Sequence, residues 1–361
     1  MRVYTTILVC LLCLPELKSQ DTVNLTFIGD IMAHQRQIDA AKTGRGYSFD
    51  SCFTFVKSYL SAADVAIANL EVTLAGEPHS GYPTFSAPDE LATALRDAGV
   101  DVLLTANNHS CDKGRKGVER TIKVLDSLRI THTGTFYDSA HRSQTYPLLL
   151  KKNNITIGLL NYTYGTNNLP TPVPTVVNRI DTLKMAADIA LTKSLSPDII
   201  IAAIHWGEEY KLYANLEQRA IADFLLRQGV RLVIGSHPHV LQGMEMNMTN
   251  DTTMQSAVVY SLGNFISNMT AVNTDIGAMV RIRLVKNHDV VRIDKGDYIF
   301  TWVYKPQQEG LRRFYVLPAA VYAGKPAFFT HNDDYRRMNT ALAAMRKLYR
   351  ETTTGFIEYT E

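Results

Sequence analysis

From residue 23 onward the chain alternates between short, unbroken apolar runs that end on polar side chains and longer segments with apolar residues at helical spacing. Runs at 23–28, 65–68 and 102–104 predict buried strands. Residues 50–63 keep a helical period. The segment 88–98 opens on Pro88 and is followed by Gly99, and 116–128 follows the third strand, so both predict helices. Further runs lie at 148–150, 155–160 and 199–204, and a helical stretch at 216–227 precedes 231–234. Strands alternating with helices predict βαβ units in a largely parallel sheet, class α/β. After His239 the texture changes. Runs at 241–246, 257–262, 278–285, 290–293 and 298–304 follow one another without long helices, which predicts an antiparallel second sheet. The proline-rich stretch 169–176 reads as a surface loop, and a last helix is predicted over 334–350. There is no internal repeat, low-complexity tract or clear linker. The expectation is one main domain over 20–300 with a C-terminal extension, 301–361, whose aromatic residues (Trp302, Tyr304, Phe314, Tyr315, Phe328 and Phe329) pack on it.

The first nineteen residues break this pattern. Arg2 precedes an apolar run at 7–14, Pro15 ends the run, and Ser19 offers a small residue for cleavage. The run is too short to span a bilayer and suits a secretory leader, so the expectation is an exported protein (periplasmic, envelope-associated or secreted) that begins near Gln20. Removal of the leader takes Cys10 and Cys13 with it. Cys52 and Cys111 remain, open to one disulfide or two buried thiols. N-x-S/T triplets, among them those starting at Asn24, Asn154, Asn161, Asn247, Asn250 and Asn268, matter only in a host that glycosylates its secreted chains. Composition adds one exclusion. With 46% apolar and 20% charged residues and a net charge of +2, the chain can fill a core but has no basic stripe for nucleic acid.

The candidate chemistry lies where the apolar runs end. F-I-G-Asp30, I-A-N-L-Glu71, L-L-T-A-N-Asn108-His109, I-A-A-I-His205 and V-I-G-S-His237-P-His239 each lead a strand into a possible metal ligand. In a parallel or mixed sheet the carboxyl ends of such strands share an edge where ligands bind. Carboxylate and imidazole donors together suit divalent transition metals such as zinc, manganese or iron, not an all-oxygen calcium site. Pro238 holds His237 and His239 off a helix, and an extended backbone there would turn both rings to one side.

These residues carry a resemblance. The ordered ligands Asp30, Asn108, His205, His237 and His239 resemble those of the calcineurin-like metallophosphoesterases. More narrowly, G-D-I-M, A-N-L-E, N-N-H-x-x-D, H-W-G-x-E, G-S-H-P-H and S-L-G-N-F resemble the CapA family, associated with poly-γ-glutamate capsule synthesis, over residues 22–285. The resemblance implies a sandwich of two mixed sheets flanked by helices, an αββα order. It implies Asp30 and His239 on a first metal, Glu71 bridging in place of the usual Asp, and Asn108, His205 and His237 on a second. His34 takes the place of a further first-metal ligand, although its spacing from Asp30 exceeds the usual one-residue gap. His109 is the uncoordinated acid that protonates a leaving oxygen once a metal-activated water attacks. Asp112 reads as the cap of the following helix, and Asn107, Glu209 and Asn264 border the substrate. Implied substrates are a phosphoester or an anionic polymer, with other capsule-synthesis components at the membrane as partners. Three functions fit: a phosphoesterase, an amide hydrolase or transferase on poly-γ-glutamate, and a non-catalytic polymer-binding component. Arg36, Lys42, Arg45, Lys113 and Arg115 lie near the motifs and could meet a polyanion.

Overall fold

The computed structural model describes residues 21–249, 255–308 and 310–361. The expected leader at 1–19 and the Asn250 triplet lie outside the described residues. Two large sheets face each other. In the first, strands Asp21–Ile31, Val65–Leu70, Val102–Leu104 and Thr131–Thr133 run parallel in that order. On the other side of Asp21–Ile31 lie Ile276–Asn287, Val290–Tyr304 and Tyr315–Pro318, all joined antiparallel. In the second sheet Ile155–Thr163, Ile199–His205, Leu232–Ser236 and Ser256–Val259 are parallel, with antiparallel edges at Leu148–Lys152 and Met244–Asn247. Both sheets are therefore mixed, as the family resemblance implies.

The antiparallel second sheet expected after His239 does not form. Ser256–Val259 joins the parallel strand Leu232–Ser236, whereas the hairpin Ile276–Asn287/Val290–Tyr304 extends the first sheet. The runs expected at 290–293 and 298–304 are one strand of 15 residues.

The central strands are apolar on both faces because each face meets a layer. Val23, Leu25 and Phe27 alternate inward toward Ile157, Leu159, Ile201 and Ile234 of the facing sheet. The other face of the first sheet, with Ile28, Ala66, Ala68 and Leu103, packs on Cys52, Phe53, Leu60, Leu91 and Leu95 from the outer helical segments. Leu160, Tyr162, Ile200, Ala202 and Val233 of the second sheet cover Met185, Ile189, Ala222 and Leu225 from helices Thr182–Ser194 and Leu216–Arg227. The layer order is αββα.

The helix expected over 50–63 divides into Asp50–Phe53 and Lys57–Ser61 but keeps its apolar residues inward. Glu90–Ala98 ends on Gly99 at φ +109°, a left-handed cap that glycine adopts without steric cost. Thr182–Ser194 was not evident from its weak apolar period; Asp181 caps it by accepting from the amides of Leu183 and Lys184. Beyond residue 300, Trp302, Tyr304, Phe314 and Phe329 are buried, and helix Asn332–Thr352 sets Met338, Leu342, Met345 and Leu348 into the cluster between the sheets. Cys52 and Cys111 are buried free thiols. Among the described residues no helix is long and apolar enough to cross a membrane.

Candidate metal centre

Parallel strands of both sheets deliver their carboxyl ends to one edge of the sandwich, and the polar residues ending them meet there. Asp30 is in register with Asn69 on one side and Asn264 on the other. Gly29 makes that approach possible: an ideal Cβ on it would stand 1.9 Å from the Gly263 carbonyl oxygen. That oxygen accepts from the Asp30 amide at 3.0 Å. The S-L-G-N-F motif thus brings Asn264 beside Asp30, with Gly263 at φ +64°.

Asp30, Glu71, Asn108, His205, His237 and His239 come together, each at most 3% exposed. One donor atom each from Asp30, Glu71 and His239 lies within 4.8 Å of the others, and so do those of Glu71, His205 and His237. Glu71 belongs to both groups. Its Oε1 stands 3.7 Å from His205 Nε2 and 3.6 Å from His239 Nε2, and it accepts no hydrogen bond among the described residues. Asn108 Oδ1 lies 2.9 Å from His205 Nε2. His237 Nδ1 is likewise buried and unpartnered. Leaving a buried carboxylate without a counter-charge costs several kcal/mol, on the order of the loss of a buried ion pair.

The electrostatics match this shortage of positive charge. Burial, reinforced by the neighbouring Asp30, raises the Glu71 pKa well above the usual carboxylate range. Burial and the neighbouring imidazoles lower His205 well below its ordinary value and take His237 to about 3. Both rings therefore stay neutral and keep a lone pair to offer. For His239 burial acts downward, but the hydrogen bond and charge of Asp30 outweigh it and raise the pKa. His239 Nδ1 faces two acceptors, Asp30 Oδ2 at 3.1 Å and Asn264 Oδ1 at 3.0 Å. It carries the proton, and Nε2 turns toward Glu71 as a donor of electrons. A buried carboxylate pair, two neutral imidazoles and a third with its tautomer fixed form a donor set that fits divalent transition-metal ions.

The convergence of His237 and His239 has a different origin from the one expected. Both are at positive φ, +101° and +58°, so the backbone is not extended. Side chains rarely adopt this region, and its cost of about 1–3 kcal/mol per residue is typical of functional sites.

The remaining candidates take varied places. His109 Nδ1 donates to Asp112 Oδ2 at 2.8 Å, and the same oxygen accepts from the Phe85 amide at 2.6 Å. Asp112 therefore orients His109. It does not cap the next helix, whose N-cap is Lys113. Phe85 packs edge-on against the His109 ring at 4.7 Å. His34 lies outside the ligand groups. Its Nδ1 faces Gln37 Oε1 at 3.2 Å and the Asn268 amide at 3.3 Å, and burial takes its pKa to about 4. Asn107 is buried, donating to the Leu70 carbonyl at 2.8 Å and accepting from the His109 amide at 3.1 Å, so its amide braces the loop. Asn264 is fully buried and orients His239, with its Nδ2 donating to the Thr274 carbonyl. Glu209 is exposed, with an oxygen within 4.8 Å of donor atoms of His237 and His239. Asn69 has no assigned role in the sequence reading, yet it donates to Asp30 Oδ1 at 2.8 Å and accepts from Asn107 Nδ2 at 3.3 Å. Its only signal was its place in A-N-L-E. Tyr164, whose ring lies 4.5 Å from that of His237, gave none.

Residues 24–269 match the family described as bacterial capsule synthesis protein PGA_cap. The chain belongs to this family. Among curated relatives of the PGA_cap chain, the capsule biosynthesis protein CapA of Bacillus anthracis is 27% identical over 281 residues, 75% of this chain and 66% of the relative. The PGA biosynthesis protein CapA of Bacillus subtilis strain 168 is 29% identical over 297 residues, 76% of this chain and 71% of the relative. The match thus spans about two thirds of the length of these relatives. Among solved structures, the calcineurin-like phosphoesterase YfkN of Bacillus subtilis superposes with a TM-score of 0.50 at 13% identity, covering 91% of this chain and all of that one. The PGA_cap chain has the calcineurin-like phosphoesterase fold.

Proposed function

We propose that this PGA_cap chain is an exported, metal-dependent hydrolase of the phosphoesterase type that serves the making of a poly-γ-glutamate capsule. The observation that carries the reading is Glu71: a fully buried carboxylate, common to two groups of potential ligands, whose Oε1 accepts no hydrogen bond among the described residues. In this reading Asp30, Glu71 and His239 hold one divalent ion, and Glu71, Asn108, His205 and His237 hold a second. The ions supply Lewis acidity and bring the pKa of water toward neutrality when bound.

The chain's own residues do the rest. Asn264 and Asp30 fix the His239 tautomer, Asn69 holds Asp30, and Ser236 Oγ lies 3.0 Å from His205 Nδ1. His109 protonates the leaving oxygen from Nε2, because Nδ1–H is held by Asp112. The substrate is a phosphoester or the anionic polymer itself; a γ-glutamyl amide carbonyl is open to the same attack. Elemental analysis of the protein beside a His237→Ala/His239→Ala variant tests the reading, with phosphoesters and γ-glutamyl oligomers then screened for turnover. About two ions per chain, lost in the variant, and hydrolysis that depends on them are expected. A protein that takes up no metal after reconstitution would leave a non-catalytic polymer-binding component instead.

A further inference from the structure

A cavity of about 500 Å³ opens beside the metal centre, lined by the loop from Tyr164 to Pro170 and by Arg179. Two of its lining residues also touch the centre: the Tyr164 ring lies against His237, and Asn167 Oδ1 accepts from Asn108 Nδ2 at 3.2 Å. Arg179 also lines the adjoining cavity of about 560 Å³. Its backbone is pinned by the parallel bridge to Thr163, where the flanking Asn178 carbonyl accepts from the Thr163 amide and the Ile180 amide donates to the Thr163 carbonyl. The guanidinium lies over Gly165: a Cβ there would be 3.7 Å from Arg179 Nη2.

The other arginine and the carboxylates lining these cavities are committed. Arg142 donates to Asp188 Oδ2 at 2.6 Å and to Asn178 Oδ1 at 2.7 Å. Asp181 caps the helix that follows it, with Lys184 Nζ 3.9 Å from its carboxylate. The Arg179 side chain is exposed and has no hydrogen bond, ion pair or ring contact among the described residues. It is a fork of donors with a fixed base and no acceptor. Around it stand an aromatic ring and amides, Tyr164, Asn167 and Asn168, with no further unpaired cation. That lining suits a chain of amide links with one carboxylate per unit; clustered phosphates would call for several cations.

We propose that this cavity is a substrate subsite flanking the metal centre, where the Arg179 guanidinium binds a side carboxylate of a polyanionic γ-glutamyl chain. The inference rests on the reading that the centre serves such a polymer. The test is calorimetric binding of a γ-linked glutamate pentamer, and separately of inorganic phosphate, to the metal-loaded protein and its Arg179→Gln and Arg179→Lys variants. Arg179→Gln should weaken pentamer binding about tenfold or more, as loss of a charge-assisted bidentate contact does, and Arg179→Lys should recover only part. Metal content and melting temperature should stay the same in both variants, and phosphate affinity should not change. Equal pentamer affinity in wild type and Arg179→Gln overturns the proposal, as does a pentamer that wild type fails to bind. An equal loss of phosphate affinity overturns the carboxylate assignment. Arg179-dependent binding in a protein that hydrolyses neither phosphoesters nor γ-glutamyl amides would retain the subsite and defeat the hydrolase reading.

Discussion

Glu71 and Asp30 are two fully buried carboxylates that raise each other's cost, and Glu71 Oε1 has histidine nitrogens on two sides but no hydrogen bond among the described residues. Glu71→Gln keeps the shape and an oxygen but removes the charge. It should lose most of the bound metal by elemental analysis, yet in chelator it should melt above wild type, because a buried charge without a partner has been removed. A chelated variant that melts below wild type would mean that Glu71 is held by something other than a cation. His109 gives the complementary prediction. His109→Ala should retain its metal while turnover falls about 100-fold or more, and Asp112→Asn should lower turnover with a displaced pH profile. Loss of metal in His109→Ala would remove the acid role. The strand-end residues were legible because an apolar run leading directly into Asp, Glu or His stands out against a solvated turn. Less legible was anything set by contact across sequence distance: Asn69 as the brace of Asp30, or Phe85 offering its amide to the carboxylate that orients His109.

At the scale of elements, the centre depends on how closely the Asp21–Ile31 strand approaches the segment carrying Gly263 and Asn264. Gly29→Ala would place a methyl group 1.9 Å from a backbone oxygen, and no side-chain rotation relieves a clash with backbone. The two segments must separate. The expected cost is about 1–3 kcal/mol in denaturant unfolding, as for other overpacked sites. Metal affinity should fall with it, since Asp30 moves relative to His239. A fall in stability with unchanged metal affinity would show that the strand end adjusts independently. Element positions were largely readable because strands buried on both faces give continuous apolar runs, and helices such as Leu216–Arg227 keep a clear period. Sheet membership was not. A strand that is apolar on both faces fits either sheet equally, so nothing local told Ser256–Val259 to join the parallel strands or the 276–304 hairpin to extend the first sheet.

For the molecule as a whole, the two free thiols among the described residues report on cooperative opening. Burial pushes the Cys52 thiol up to about 12 and the Cys111 thiol up to about 11, so both stay protonated and shielded near pH 8. Thiolate is the reactive form, and native labelling at that pH should be slow. Cys52 packs in the outer helical layer of the first sheet, whereas Cys111 packs with Ala106, Val118 and Ile122 beneath the loop that carries Asn108 and His109. Each ion held only by the folded state adds stability by mass action, about 2.7 kcal/mol when its concentration is 100 times its dissociation constant. If exposure of each thiol requires the whole sandwich to open, removing the metal should accelerate both labelling rates by the same factor, about 100-fold for each ion lost. Acceleration at Cys111 alone would instead mean that the site loop opens independently once its ligands are empty. The same reagent, applied to unfolded protein isolated from its host, counts the thiols and bears on export. The proposed cleavage near Ser19 would remove Cys10 and Cys13, so two reactive thiols per chain are expected, whereas all four cysteines of the full sequence would mean that the leader is retained.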